Sequence, residues 1–169
     1  MTFELKLSQG GLVIGPDGDF VKVENRDKLY QDVIKLILTP LKGNKFFPWY
    51  GSAVESVLGN IIDQNFTSTM ASSQISSALE TLKKIQLEQG KTQFLSLQEQ
   101  LAAVKSISVH QNTVDPRYYQ INVEIINKFG EKIQASVNLW KVWLVKINAF
   151  FAILIDSFGY ISLVGNNDN

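Results

Sequence analysis

The sequence predicts an α+β fold: a small antiparallel sheet, built from a C-terminal three-stranded meander plus N-terminal strands, packed with three to four helices. Three observations predict it. Apolar residues recur at helical spacing through the middle of the chain. The period then switches to two and holds through Leu139. Short alternating runs, punctuated by Gly and Pro, occupy the N-terminal stretch.

Taken in order, "FELKL" (residues 3–7) puts Phe3, Leu5 and Leu7 on one side. "GGLVIGPDGDFVKVE" reads as short strands about a Pro16-Asp17-Gly18 turn. Asp17 and Asp19 do not make a calcium loop, because the spaced third oxygen ligand and the distal Glu are missing. Residues 26–41 carry Leu29, Tyr30, Val33, Ile34, Ile37, Leu38 and Leu41 as a helical stripe. Asn25 or Asp27 is its expected cap, and Pro40 with Gly43 its stop. "GNKFFPWYG" (residues 43–51) is an aromatic turn held by Gly43, Pro48 and Gly51. Ser52 to Glu55 has capping-box spacing and predicts a helix with Val54, Val57, Leu58, Ile61 and Ile62 inward.

A longer helix is predicted from about Ser68 to Leu87, striped by Ala71, Ile75, Ala78, Leu79, Leu82 and Ile85, with a serine-rich outer face and a break at Gly90. "TQFLSLQEQLAAV" (residues 92–104) reads as a further short helix. Ile107 and Val109 then alternate with serines. Tyr119, Ile121, Val123 and Ile125 alternate with polar residues. After the Asn127–Gly130 turn so do Ile133, Ala135, Val137 and Leu139. Three strands with one wet face make the meander.

Composition narrows the function. The 169 residues, 45% of them hydrophobic, suit one domain with a real core. Sixteen basic residues balance sixteen acidic ones, which argues against a general nucleic-acid binder. The absence of cysteine excludes disulfide scaffolds, cysteine-ligated zinc and thiol catalysis. "MTFELKLSQGG" lacks a basic leader followed by an apolar core, so no secretory signal is expected. Residues 139–164 are apolar and aromatic, but Lys141, Lys146, Asn148 and Asp156 interrupt them. The longest strongly apolar piece, Ala149–Ile155, falls far short of the ~20 residues of a membrane span. A peripheral membrane role for this segment is a rival expectation.

Chemistry is sparse. His110 is the one histidine, which rules out a multi-histidine metal site, and its place on the polar side of a strand suggests no triad. No phosphate-cradling glycine loop occurs. Glu55, Glu80, Glu88, Glu99 and Glu124 are the acids that a glycosidase pair could draw on. Glu55 is assigned to a cap, Glu80, Glu88 and Glu99 to helix exteriors, and Glu124 to the wet strand face. What remains is Asp115-Pro116-Arg117, directly before a strand. Proline fixes its own φ and pushes Asp115 out of helical geometry. Arg117 adds a planar fork of five donors. The corner is either a loop end with an internal ion pair or an exposed fork that docks on a partner.

The ordered motifs resemble those of the baseplate wedge proteins that initiate the sheath of contractile-tailed phages, with relatives in type VI secretion systems. Gly18-Asp19-Phe20 follows the N-terminal strands, Leu38-Thr39 ends the first helix, and Gly43, Phe46 or Phe47, Pro48 and Gly51 match an aromatic-turn motif. Asp115-Pro116-Arg117 matches an acid-Pro-Arg motif. The likeness spans roughly residues 15–139, and the order is more specific than any one motif. It implies a structural subunit without enzymatic activity or cofactor, located in the tail baseplate of the virion and assembled in the bacterial host cytoplasm. The implied partners are other wedge proteins, the tail sheath protein and the tail tube, with no nucleic acid and no membrane span. Asp115, Pro116 and Arg117 would dock on the wedge core bundle; Gly43, Phe47, Pro48 and Gly51 would shape the fold; exposed strands would template the first sheath ring. The family's usual glutamate is an aspartate here. The resemblance divides the chain into a sheath-initiator-like domain, 1–139, and an extension, 140–169. In that extension Trp140, Trp143, Phe150 and Phe151 are expected to pack on the same domain or to contact the sheath or another partner. A peptidoglycan-cleaving, lysozyme-like tail enzyme is the alternative.

Overall fold

The computed structural model describes residues 2–8, 11–58 and 64–140. Two layers make up its core. One is an antiparallel sheet of β5 (Leu101–Gln111), β6 (Tyr118–Asn127) and β7 (Lys132–Trp140), in the order β5-β6-β7. The other is a pair of helices, α1 (Asn25–Leu38) and α3 (Gln64–Gln89), with the single-turn α2 (Val54–Val57) between them in sequence. The short strands β1 (Glu4–Leu5) and β4 (Lys22–Val23) pair antiparallel, as do β2 (Leu7–Ser8) and β3 (Gly11–Leu12).

The period-two expectation holds across the sheet. Tyr119, Ile121, Val123, Ile125, Ile133, Ala135 and Val137 are all buried, and Ile107 and Leu139 are half-buried at the edges of the same cluster. The polar residues between them form the outer face. Helical periodicity holds as well: Leu29, Val33, Ile34 and Ile37 of α1 meet Ala71, Ile75, Ala78, Leu79 and Leu82 of α3 in one core with the sheet. Burial of the Leu, Ile and Val side chains among these, at ~1.5–3 kcal/mol each, is what holds the layers together.

Four local expectations are corrected. First, α1 ends at Leu38, because Thr39 is extended, so Leu41 lies outside the helix and is exposed. It also starts without a side-chain cap: Asn25 takes a left-handed φ of 53°, and its side-chain oxygen accepts a bond from Ser96 Oγ instead. Second, Ser52 does not cap α2. Its hydroxyl donates to Ile37 O at 2.7 Å, tying the aromatic turn back to α1. Third, residues 92–104 are not a helix. They are turns that lead into β5 at Leu101, where Gln86 of α3 accepts the Leu101 N–H and donates to Glu99 O, both at 2.8 Å. Fourth, Glu99 is therefore not on a helix exterior but is 1% exposed, with the Thr2 hydroxyl donating to one carboxylate oxygen. The long helix begins earlier and ends later than expected, at Gln64 and Gln89. Ile61 and Ile62 lie outside the described residues.

Candidate partner-docking site

The Asp115 corner joins β5 to β6. Asn112 starts it: its side-chain oxygen accepts the N–H groups of Val114 (2.7 Å) and Asp115 (3.1 Å), an Asx turn. Backbone bonds from Asn112 N to Tyr118 O and from Tyr118 N to Asp115 O close the loop. Gln111 Nε2 donates to Pro116 O at 2.6 Å and holds the proline in place. Asp115 then accepts from Arg117 three times: from the backbone N–H (3.0 Å), from Nε (2.9 Å) and from Nη2 (2.7 Å).

The geometry shows the internal ion pair of the first reading, with the fork facing outward. The ion pair is internal, and the guanidinium is still half exposed, with 51% of the Arg117 side chain accessible against 26% for Asp115. The Arg117 side-chain and backbone bonds hold the Asp115 carboxyl below the usual aspartate range, and the carboxylate pushes the guanidinium up. An exposed pair of this kind adds little to folding. What it does is fix the plane of the guanidinium, because a bidentate fork has one geometry.

At the aromatic turn, Gly51 has a φ of 118°, and a Cβ there would sit 2.5 Å from Thr39 O. Gly43 has similar crowding: a Cβ would lie 2.9 Å from Pro40 O. Pro48 O accepts the Lys42 N–H, and Asn44 Oδ1 accepts those of Phe46 and Phe47. Phe47 and Trp49 meet edge to face, with ring centroids 5.5 Å apart. Phe46, Phe47 and Trp49 are nonetheless exposed, at 88%, 52% and 51%.

A cleft of about 420 Å³ opens between the N-terminal strand, α1, the end of α3 and this turn. Its floor is an ion ladder. Lys28 Nζ meets Asp32 at 3.0 Å, Asp32 meets Lys35 at 3.1 Å, and Lys35 donates to Glu4. Burial lowers the Lys35 affinity for its proton, but bonds and charges from Glu4 and Asp32 outweigh it, so its pKa is raised overall. Burial also raises the Tyr50 hydroxyl beside it. Gln31, in the buried arc of α1, accepts the Leu7 N–H and donates to Leu5 O and Glu4, each at 2.8 Å. Sequence reasoning passed over all of these. A glutamine inside an apolar stripe and the i, i+4 spacing of Lys28 and Asp32 were the available signals.

The acids considered for a glycosidase pair are not brought into this cleft. Glu80 and Glu88, on the exposed face of α3, pair with Lys83 and with Lys91 just past its end, each at 2.7 Å. They stand ~12 Å apart along the helix axis, beyond the separation glycosidases use. Glu124 belongs to the outer face of the sheet, and Glu55 is exposed. His110, opposite Gln120 on that outer face, is exposed as well. Among the described residues no cluster of acids and histidine could hold a metal ion, and no helix is long and apolar enough to cross a membrane. Trp143, Phe150 and Phe151 lie outside the described residues, and so does the Trp140 side chain.

No family model and no curated protein matches the chain. Its fold does match a crystal structure from Geobacter sulfurreducens, of a protein provisionally described as a tail lysozyme. The TM-score is 0.53 at 8% identity, over 69% of this chain and 90% of that one. The α+β fold described here is thus one that the Geobacter protein also adopts.

Proposed function

We propose that this chain is a structural subunit of a contractile-tail baseplate, joining the wedge core to the first sheath ring and starting sheath polymerisation by strand addition. The observation that carries the reading is the fold shared with a protein described as belonging to a tail. The half-exposed, pre-oriented Arg117 supports a docking role for Asp115, Pro116 and Arg117. The sheet topology supports strand addition: β5 and β7 each have an outer edge with no partner strand among the described residues. On this reading the protein sits in the virion tail baseplate, assembles in the bacterial cytoplasm, touches wedge proteins, sheath and tail tube, and performs no catalysis.

Particle incorporation tests it. Arg117→Ala leaves the free chain folded, with an unchanged melting temperature, but is missing from purified contractile particles. A variant that enters particles as efficiently as the original chain overturns the docking assignment.

The description of the structural neighbour favours a second reading, a peptidoglycan-cleaving tail enzyme. That reading needs two carboxylates at glycosidase spacing. Sustained clearing of a peptidoglycan suspension by the purified chain, abolished by one member of a Glu→Gln series, would establish it over the structural role.

A further inference from the structure

We infer that the outer edge of β7 pairs with the same edge of a second copy of this chain, joining two three-stranded sheets across a two-fold axis at Ser136. The two edges of the sheet are not equivalent. Asn112 N donates to Tyr118 O, and hydrogen-bonded pairs alternate from there along β5, so the peptide groups of Ile107, Val109 and Gln111 face away from β6. On that edge Ser68 of α3 takes Val109 O at 3.1 Å, and two register shifts bend the strand before Ser106. The exposed Lys105 stands beside them, and bulges and lysines are what blunt an edge. β7 differs. Asn127 N donates to Glu131 O, which turns the peptide groups of Ile133, Ala135 and Val137 toward β6 and those of Gln134, Ser136 and Asn138 away from it. Pairing with β6 runs from Lys132 to Trp140 without a shift. Arg26 of α1 donates to Lys132 O at 3.4 Å, at the start of the edge. Beyond it, the outward peptide groups of Gln134, Ser136 and Asn138 have no partner among the described residues.

The sequence of β7 says what fits that row. Turned about Ser136, the strand matches itself: Ser136 falls opposite its own copy, Gln134 opposite Asn138, Ala135 opposite Val137 and Ile133 opposite Leu139. Every one of these pairs is neutral. Polar meets polar on the outer face, and apolar meets apolar on the core face, where Ile133, Ala135 and Val137 are already buried. Lys132, the one charged residue of the strand, falls opposite position 140 and not opposite its own copy. Because Ser136 presents its peptide groups outward, the axis passes through a hydrogen-bonded pair. The Ser136 pair and each Gln134–Asn138 pair then exchange two N–H···O bonds apiece. With β5 blunted, the contact does not propagate from β7 to β5 along a filament and closes as a dimer. That the second copy holds this edge until strand addition displaces it rests on the assembly role proposed above; the pairing itself does not.

Sedimentation equilibrium and NMR on the full chain test this. The mass should rise with concentration from that of one chain toward that of two, with a Kd of order 100 μM. Over the same range the amides of Gln134, Ser136 and Asn138 should gain protection from hydrogen exchange, while that of Ile107 should not. In a mixture of ¹³C-labelled and unlabelled chains, an intermolecular contact between the α-protons of Ala135 and Val137 should appear, the mark of a non-hydrogen-bonded antiparallel pair. Ser136→Lys sets two ammoniums face to face on the axis and should weaken the dimer at least about tenfold. Ser106→Lys lies on the same outer face but about five strand spacings (~24 Å) from its own copy, and should leave the Kd within about twofold. A chain that stays monomeric up to about 1 mM overturns the proposal. So does a dimer that protects other amides, and so does protection of Gln134, Ser136 and Asn138 that is independent of concentration, the sign of an edge covered within one chain. These measurements on the unaltered chain decide the matter even if Ser136→Lys does not fold. No particle is involved, so their failure leaves the Arg117 incorporation result standing, and the reverse.

Discussion

Ile121, in the middle of the sheet, has no exposed surface, whereas Val114, in the corner that feeds the same strand, is 92% exposed. The sheet holds its residues by burial. The corner holds its own by hydrogen bonds, accepted by the Asn112 and Asp115 side chains and donated by Gln111, with a proline to fix the backbone. Substitutions in the first region should change stability. Substitutions in the second should leave stability nearly untouched and, on the function proposed above, change docking.

The largest effect belongs to Ile121→Ala. Loss of a fully buried aliphatic side chain costs about 2–5 kcal/mol, read as a lower urea midpoint, while Val114→Ala should stay within about 0.5 kcal/mol. Comparable losses at both positions would break the contrast. Next comes Gly51→Ala, which combines a φ of 118° with a Cβ 2.5 Å from Thr39 O and should cost more than ~1 kcal/mol. Gly18→Ala shares a positive φ, 84°, but meets nothing within 4 Å, and should cost less. If the two glycines respond alike, close approach is not what fixes the aromatic turn.

Gln31→Leu sharpens the comparison, because Gln31 is a polar residue doing its job by burial. Its loss strands the Leu7 N–H and Leu5 O, at about 1–3 kcal/mol, and amide exchange at Leu7 should speed up more than at Ile121. Uniform acceleration would mean the N-terminal strands are not tied down locally. The smallest effect is at the corner. The folded-state pKa of Asp115 is depressed, so any stability from its pair is present above the ordinary aspartate value near ~3.9 and is lost as pH falls through the lower folded value. Carboxyl-carbon NMR should place the Asp115 midpoint below the ordinary range, and Arg117→Ala should raise it. A midpoint that does not respond to Arg117 would remove the pair as the organiser of the corner.

Much of the core was legible because burial leaves a periodic trace. Alternation from Tyr119 to Val137 required one dry face, and the stripe of α3 from Ala71 to Leu82 required one packed side. The segment around Leu95 and Leu101 misled because leucines among glutamines imitate a helix; the contact that decides it is the Gln86 side chain meeting the backbone of Glu99 and Leu101. Glu99 carried no local sign of burial, since its hydroxyl donor is Thr2, at the other end of the described chain. The corner was legible as rigid and as a possible ion pair. Its exposure was not, because an Asp-Pro-Arg run looks the same whichever way it faces. The ladder was half legible: Lys28, Asp32 and Lys35 share a helix face, but Glu4 joins them only through the fold.

The pairing of β5 with β6 shifts register twice, between Leu101 and Ala103 and between Val104 and Ser106, and runs evenly only from Ser106 to Gln111. Such irregularities bend a strand and spoil its outer row of peptide groups as a template. On β5, an incoming chain would find a straight landing strip only along the latter half, the half that abuts the Asp115 corner. A neighbour adding a strand there would run up to the corner that carries Arg117, and the strand-addition and docking contacts proposed above would then be adjacent.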